Sequence, residues 1–178
     1  METLNEVNSE RIICNDGLSS YEKHKINRRF IDACKDGDLE LAKQIYDNNY
    51  VDIHYERNES FEWAVINNHI NIVKWLVSIG DFTGKAFKNN VYPLYKACAS
   101  GYFEMVKLLC RIDRDPIRWH GYEAIKFAFR FRRDNIVKWL IDTQLDKEGK
   151  DSCVGYDDNY LYIKDQIYNW DLPKRNIV

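Results

Sequence analysis

The hexapeptide Asn-Ile-Val-Lys-Trp-Leu occurs twice in the chain, at residues 71–76 and again, letter for letter, at 135–140. The two copies are 64 residues apart, which equals two periods of 32. Self-similarity at a period of about 20 to 50 residues is typical of repeat proteins, in which each repeat contacts its neighbours. The chain is therefore expected to fold as a stack of similar short units and not around one central core.

One alanine from each of four repeats can be placed in register, with spacings of 31, 33 and 31 residues. These anchors are Ala33, Ala64, Ala97 and Ala128. Counted from the anchor, apolar residues recur at positions −3, +1, +9, +12 and +13, the i, i+3, i+4 rows of two successive amphipathic helices. The pattern predicts an all-α fold of four helix-turn-helix repeats over residues 21–145.

Position +4 falls in the predicted turn between the two helices of each repeat. It holds Gly37, Asn68, Gly101 and Arg132. Gly and Asn suit the left-handed residue that ends many helices. Arg132 departs from that rule, so the fourth turn is the one the sequence specifies least.

The third repeat carries a recognisable motif. It reads Tyr92-Pro93-Leu94-Tyr95-Lys96-Ala97, which resembles the Thr-Pro-Leu-His-x-Ala signature of the ankyrin repeat. The resemblance covers residues 26–142 and implies an ankyrin-repeat solenoid with short hairpin loops. Residue usage rich in Asn, Ile, Lys and Tyr is similar to that of ankyrin proteins of large DNA viruses of amoebae, which implies a viral protein that engages a host factor.

The two ends lie outside the repeats. Residues 1–20 are polar and without a period, which predicts a flexible arm, and Ser19 with Glu22 predicts a capping box at the start of the first helix. Residues 146–178 are expected to form a charged linker, a capping segment over 156–170 and a tail. A terminal cap is expected because a solenoid must cover the apolar face of its last repeat.

Composition narrows the class of protein. The chain is 45% hydrophobic and 30% charged, as in ordinary globular proteins, and no apolar run is long enough to cross a membrane. Its five cysteines include no Cys-x-x-Cys pair, so free thiols are expected and no zinc or redox site. These features predict an intracellular, cytoplasmic protein, placed in the host cytoplasm if the source is viral.

No constellation of residues points to catalysis. The four histidines fall on four different predicted segments, and no nucleophile is paired with a base. The sequence therefore predicts that the chain is not an enzyme and uses no metal and no cofactor.

The resemblance implies another protein as partner, bound by the hairpin tips and by positions +2 and +3 of each first helix. The first-helix candidates are Lys35, Asp36, Ile66, Asn67, Ala99, Ser100, Arg130 and Phe131. The hairpin candidates are Arg57, Asn58, Lys88, Asn89, Trp119 and His120. Phe131, Trp119 and Arg130 stand out because aromatic residues and Arg dominate interface hot spots.

Two other functions stay open. Residues 111–133 carry seven basic side chains interleaved with aromatic ones, which is one pattern of nucleic-acid binding. This stretch alone has a net positive charge, in a chain of net charge −2, so nucleic acid is disfavoured and an acidic protein partner explains the same residues. An adaptor to ubiquitin ligase machinery rests only on Leu172-Pro173, which resembles the start of an F-box.

Overall fold

A computed structural model describes residues 17–80, 82, 92–112 and 115–148. Within these ranges the secondary structure is helical and the fold is all-α, as the periodicity predicts. Eight helices follow in chain order: α1 (Ser20–Asp36), α2 (Leu39–Asn48), α3 (Tyr55–Ile66), α4 (Ile70–Ile79), α5 (Tyr92–Ser100), α6 (Phe103–Ile112), α7 (Asp115–Arg130) and α8 (Asp134–Glu148). In the part of the chain so described, none of these helices has the length and apolar character that crossing a bilayer demands.

The chain divides into two compact units. Unit 1 spans Met1–Leu76 and unit 2 spans Val77–Val178, so each holds two of the four anchor alanines. In unit 1, α1 packs against both α2 and α3. In unit 2, α5 packs against α6 and α7, and α8 packs against α7 and α6. Within each unit the first helices of successive repeats therefore lie side by side.

All four turns between the paired helices have the same backbone conformation. Position +4 has a positive φ in each repeat, at 86° in Gly37, 62° in Asn68, 85° in Gly101 and 56° in Arg132. The amide of the next residue then donates to the anchor carbonyl, over 2.8 to 3.0 Å. This is the closing hydrogen bond of a Schellman-type helix end. Arg132 thus adopts the left-handed conformation that its residue type does not predict.

The core confirms the apolar pattern. All four anchors are buried, as are the residues at positions −3, +9 and +12 of every repeat. Position +1 is buried in the first three repeats, whereas Phe129 in the fourth is only half-buried. The tryptophans shared by the two hexapeptides pack on the preceding repeat. The ring centroids of Trp75 lie 5.6 Å from Tyr46 and 6.0 Å from Phe30, and those of Trp139 and Phe103 are 6.1 Å apart.

Helix α1 begins with the predicted capping box. The hydroxyl of Ser19 accepts from the Glu22 amide at 3.3 Å, and the Ser19 amide donates to the Glu22 carboxylate at 2.8 Å. The Ser19 hydroxyl also donates to the Glu22 carboxylate at 2.7 Å, and this bond first, with that of the Ser19 amide second, holds the pKa of Glu22 below its usual value. The Ser19 and Glu22 prediction is confirmed.

The placement of Trp119 and His120 at a hairpin tip is wrong. Both residues lie inside α7, which already begins at Asp115. Pro116 is the second residue of that helix, where its missing amide hydrogen costs no hydrogen bond, so Asp115-Pro116 starts a helix and does not prolong a loop. The candidates Lys88 and Asn89, residues 1–16 of the arm and the proposed cap at 156–170 lie outside the described residues.

Candidate protein-binding surface

The ends of the first helices are tied to the following repeat by position +5. In unit 1 a ring nitrogen of His69 lies 2.9 Å from the carbonyl oxygen of Lys35, and Asn67 Nδ2 donates to the same oxygen at 2.8 Å. In unit 2 Arg133 Nε donates to the Ala99 carbonyl at 3.0 Å. Residues at the same repeat position thus make the same link in both units. The bonds fix the ends of adjacent first helices relative to each other.

Glycine at position +4 of the preceding repeat leaves room for these links. A Cβ on Gly37 would lie 2.5 Å from Cε1 of His69, and one on Gly101 would lie 3.0 Å from Cδ of Arg133. The left-handed backbone and the close approach of the next repeat therefore favour glycine independently. Asn67 and Ala99, both chosen as partner-binding residues, take part in these links. Asn67 donates a hydrogen bond to Lys35, and the carbonyl of Ala99 accepts one from Arg133.

In unit 1 the side chains on the surface of the first helices, α1 and α3, contact one another. Lys35 Nζ lies 4.6 Å from the centre of the Trp63 ring, at a distance typical of a cation–π contact. Trp63 Nε1 donates to Glu59 at 3.1 Å, and the other carboxylate oxygen of Glu59 accepts from Arg28 at 2.6 Å. The one tryptophan of this surface is thus partly covered by a cation and bound to an acid of its own chain.

In unit 2 the equivalent surface is aromatic. The rings of Tyr95 on α5 and Phe127 on α7 are stacked, with centroids 5.0 Å apart and planes 12° from parallel. Tyr92 precedes Tyr95 by three residues and is 54% exposed, while Phe131 follows Phe127 by four and is 49% exposed. The Phe131 amide donates to the Phe127 carbonyl at 3.2 Å, so the helical turn continues and places both rings on one face. These four residues are called the aromatic strip below.

Cations flank the aromatic strip. Lys96 and Arg130 are exposed, and neither forms a salt bridge with any residue of the described ranges. Glu123 is bound to Lys126 at 2.5 Å. Burial first, and the nearby Glu123 charge second, raise the pKa of Tyr95 above its usual value. The strip is therefore bordered by positive charge, and the acid Glu123 beside it is already paired with Lys126.

The structure brings together the four unit 2 candidates at first-helix ends: Ala99, Ser100, Arg130 and Phe131. Arg130 and Phe131 are exposed and the other two are half-buried. The sequence reasoning missed Tyr92, Tyr95 and Phe127, although spacings of three between the tyrosines and four between Phe127 and Phe131 signal shared helix faces.

The unit 1 candidates are less available. Ile66 is half-buried, and Asn67 is exposed but bound to Lys35. Arg57 is exposed in a left-handed turn that runs from Glu56 to Asn58, within the range assigned to α3. The amide oxygen of Asn58 lies 2.6 Å from Nδ1 of His54, so its side chain is engaged within the turn.

The described thiols are buried. Cys34, Cys98 and Cys110 are free cysteines with little or no exposed surface. Burial raises the pKa of the Cys34 thiol to about 12, and burial with a smaller effect of Cys110 raises that of Cys98. Protonated, inaccessible thiols are poor nucleophiles and metal ligands. Over the same ranges, no group of three or more His, Cys, Asp or Glu side chains is arranged to bind a metal ion.

Paired helices with buried anchors, turns of the same conformation and links between the two repeats of each unit define a helix-turn-helix repeat protein. The family model for ankyrin repeats, in three copies, matches residues 61–151, which is half of the chain. The chain belongs to the ankyrin-repeat family. No solved structure matches it significantly.

Two curated relatives carry the same enzyme name. The chain is 33% identical over 130 residues to palmitoyltransferase AKR1 of Lachancea kluyveri, covering 68% of this chain and 18% of that protein. It is 31% identical over 105 residues to palmitoyltransferase AKR1 of Kluyveromyces lactis, covering 56% of this chain and 14% of that protein. The chain thus spans less than a fifth of these relatives' length.

These relatives contradict one prediction and leave another without support. The expectation that the chain is not an enzyme is wrong on this comparison, because the proteins it resembles are named as transferases. The sequence could not signal this, since the resemblance lies in repeats and not in catalytic residues. The comparison gives no support to a viral origin, because neither protein is viral.

Proposed function

We propose that this chain is a protein-binding ankyrin module that grips its partner with the first helices of unit 2. The observation that carries the proposal is that two aromatic side chains, Tyr92 and Phe131, are about half exposed. Beside them lie Lys96 and Arg130, which form no salt bridge within the described residues. Large half-exposed aromatics and Arg are the side chains that contribute most to interfaces. Trp63, the aromatic on the matching surface of unit 1, already contacts Lys35 and Glu59.

The arrangement favours binding because the surface is pre-organised. The stack of Tyr95 on Phe127 and the bond from Arg133 to the Ala99 carbonyl hold α5 and α7 together before any partner arrives. A partner then meets side chains that are already ordered, so less conformational entropy is lost on association.

Affinity capture from cell lysate tests the proposal. The wild-type chain, Phe131→Ala and Tyr21→Ala are immobilised, and the bound proteins are quantified by mass spectrometry. Tyr21 is the matched control because it is also an exposed aromatic, 73% accessible, but lies on α1 in unit 1. We expect specific proteins that wild type and Tyr21→Ala retain equally and Phe131→Ala loses. Equal recovery by all three would contradict the site.

The relatives favour a second candidate, in which the module holds proteins for palmitoyl transfer. In this candidate the acyl group goes to a cysteine of the captured protein; Cys34, Cys98 and Cys110 are buried and so are poor acceptors. The test measures hydroxylamine-sensitive, thioester-linked palmitate on the captured proteins. Enrichment over the lysate supports this candidate, and a palmitate content equal to that of the lysate contradicts it.

We also propose an intracellular setting, which the free buried thiols support because secreted domains tend to pair theirs. A viral source with a host partner stays a prediction. Nucleic-acid binding through residues 111–133 is disfavoured because Phe127 already stacks on Tyr95. The ligase-adaptor hypothesis stays a prediction, since Leu172-Pro173 lies outside the described residues.

A further inference from the structure

We infer that the aromatic strip recognises an acidic peptide segment that carries a large apolar anchor side chain. This inference rests on the proposed function and names the chemistry of the partner. It depends on the charge around the strip, the exposure of its two outer rings and the contrast with the same positions in unit 1.

The two units carry opposite charge at equivalent positions. At positions −5, −2, −1, +2 and +3, the two repeats of unit 1 have four acidic and two basic side chains, whereas those of unit 2 have three basic and one acidic. The basic ones are Lys96, Lys126 and Arg130. The acid, Glu123, is bound to Lys126. The exposed positive charges of Lys96 and Arg130 steer and orient an acidic ligand and disfavour a basic one.

The rings supply the apolar part of the site. Tyr95 and Phe127 form a stacked, half-buried floor that spans α5 and α7, and Phe131 continues from Phe127 on the same helix face. A leucine or aromatic side chain of a peptide can cover the exposed edge of Phe131 and displace water from it. Arg130, adjacent in sequence, can pair with a carboxylate next to that anchor.

A single-stranded nucleic acid fits this surface less well. Sequence-tolerant strand binding needs aromatic faces open to successive bases and a continuous groove of positive charge. Here the faces of Tyr95 and Phe127 are turned to each other, and Glu123 lies close enough to raise the pKa of Tyr95. The observations therefore favour an acidic peptide.

The experiment selects phage from a random peptide library on the intact chain and sequences the enriched clones. The leading enriched peptide and, as probe for the alternative, a labelled oligothymidine are then titrated by fluorescence anisotropy. The variants are Phe131→Ser and Arg130→Glu. Their matched controls in unit 1 are Tyr21→Ser and Arg29→Glu, which change an exposed aromatic and an exposed arginine of α1. Circular dichroism melts verify that each variant is folded.

We expect enriched peptides to share acidic residues beside a leucine or aromatic anchor. Phe131→Ser and Arg130→Glu should each weaken binding about tenfold or more, as for hot-spot residues, and the controls less than about twofold. Enrichment of basic or uncharged peptides, the absence of any enrichment, equal binding by Arg130→Glu, or tighter binding of oligothymidine overturns the inference. Protein capture that depends on Phe131 would still uphold the proposed function, so the two failures are distinguishable.

Discussion

Replacing Gly37 with alanine tests whether the glycine at position +4 accommodates the side chain of the next repeat. Gly37 has a φ of 86°, and a Cβ there would lie 2.5 Å from Cε1 and 2.7 Å from Nδ1 of His69. The added methyl group therefore meets two obstacles. One is the left-handed backbone, and the other is an imidazole ring held beside the Lys35 carbonyl.

The two costs can be sized separately. A left-handed conformation costs an L-residue with a Cβ about 1–2 kcal/mol. Moving the His69 ring away from Lys35 loses one hydrogen bond, worth about 1 kcal/mol net. The Lys35 carbonyl keeps its bond from Asn67, so no buried acceptor is left unpaired. Gly37→Ala is therefore expected to lower the free energy of unfolding by about 2–3 kcal/mol.

Urea unfolding followed by circular dichroism, in a double-mutant cycle with His69→Ala, measures the two costs. In the His69→Ala background the ring is absent, so Gly37→Ala should cost only the backbone share, and the coupling should be about 1 kcal/mol. Gly101→Ala should be milder than Gly37→Ala because its Cβ meets the flexible Arg133 side chain at 3.0 Å. Gly17→Ala, with nothing within 4 Å, is the neutral control. A cost of Gly37→Ala that is the same with and without His69 would refute the reasoning.

Three further predictions concern the links and the core. Arg133→Met should lower the free energy of unfolding by about 1–3 kcal/mol, because the Ala99 carbonyl loses a charged hydrogen-bond donor. Urea unfolding measures this loss, and a value below about 0.3 kcal/mol would contradict the prediction. Trp75→Ala should cost about 3–5 kcal/mol by the same assay, since its ring packs on the preceding repeat at Tyr46, and a cost like that of a surface substitution would contradict the packing role. The pKa of Cys34 is raised from 9.0 to about 12, so the folded thiol stays protonated while the unfolded thiol ionises. Its contribution to stability is thus complete below pH 9.0 and lost as the pH rises towards 12, and melts of Cys34→Ala should fall less steeply over that window than those of wild type.

The repeats were predictable because their determinants are local and periodic. The anchors Ala33, Ala64, Ala97 and Ala128 are all buried, as the register predicts. The left-handed turn at Gly37 and the cap at Ser19 are each formed with residues only a few positions away in the chain. Such signals can be read without knowing what lies 30 residues away.

The binding surface was predictable only in part. Arg130 and Phe131 were chosen from their repeat position, and the structure leaves both exposed. Trp119 was misplaced because the start of α7 depends on where Asp115-Pro116 begins the helix, and the shorter connection had no motif to mark it. Arg132 shows the opposite case, because its residue type argues against a left-handed turn, yet its φ is 56° and the turn closes with the same hydrogen bond as the others.

By itself the sequence determined the period, the buried faces and the positions of the turns, because repeated apolar spacing encodes burial directly. Only the tertiary structure decided that Lys35 lies over Trp63 while Tyr95 and Phe127 stack and leave Phe131 exposed. It also decided that His69 and Arg133 reach the carbonyls of the repeat before them. These contacts join residues about one repeat apart in the chain. Their partners are set by how the helices stack, which no local pattern specifies.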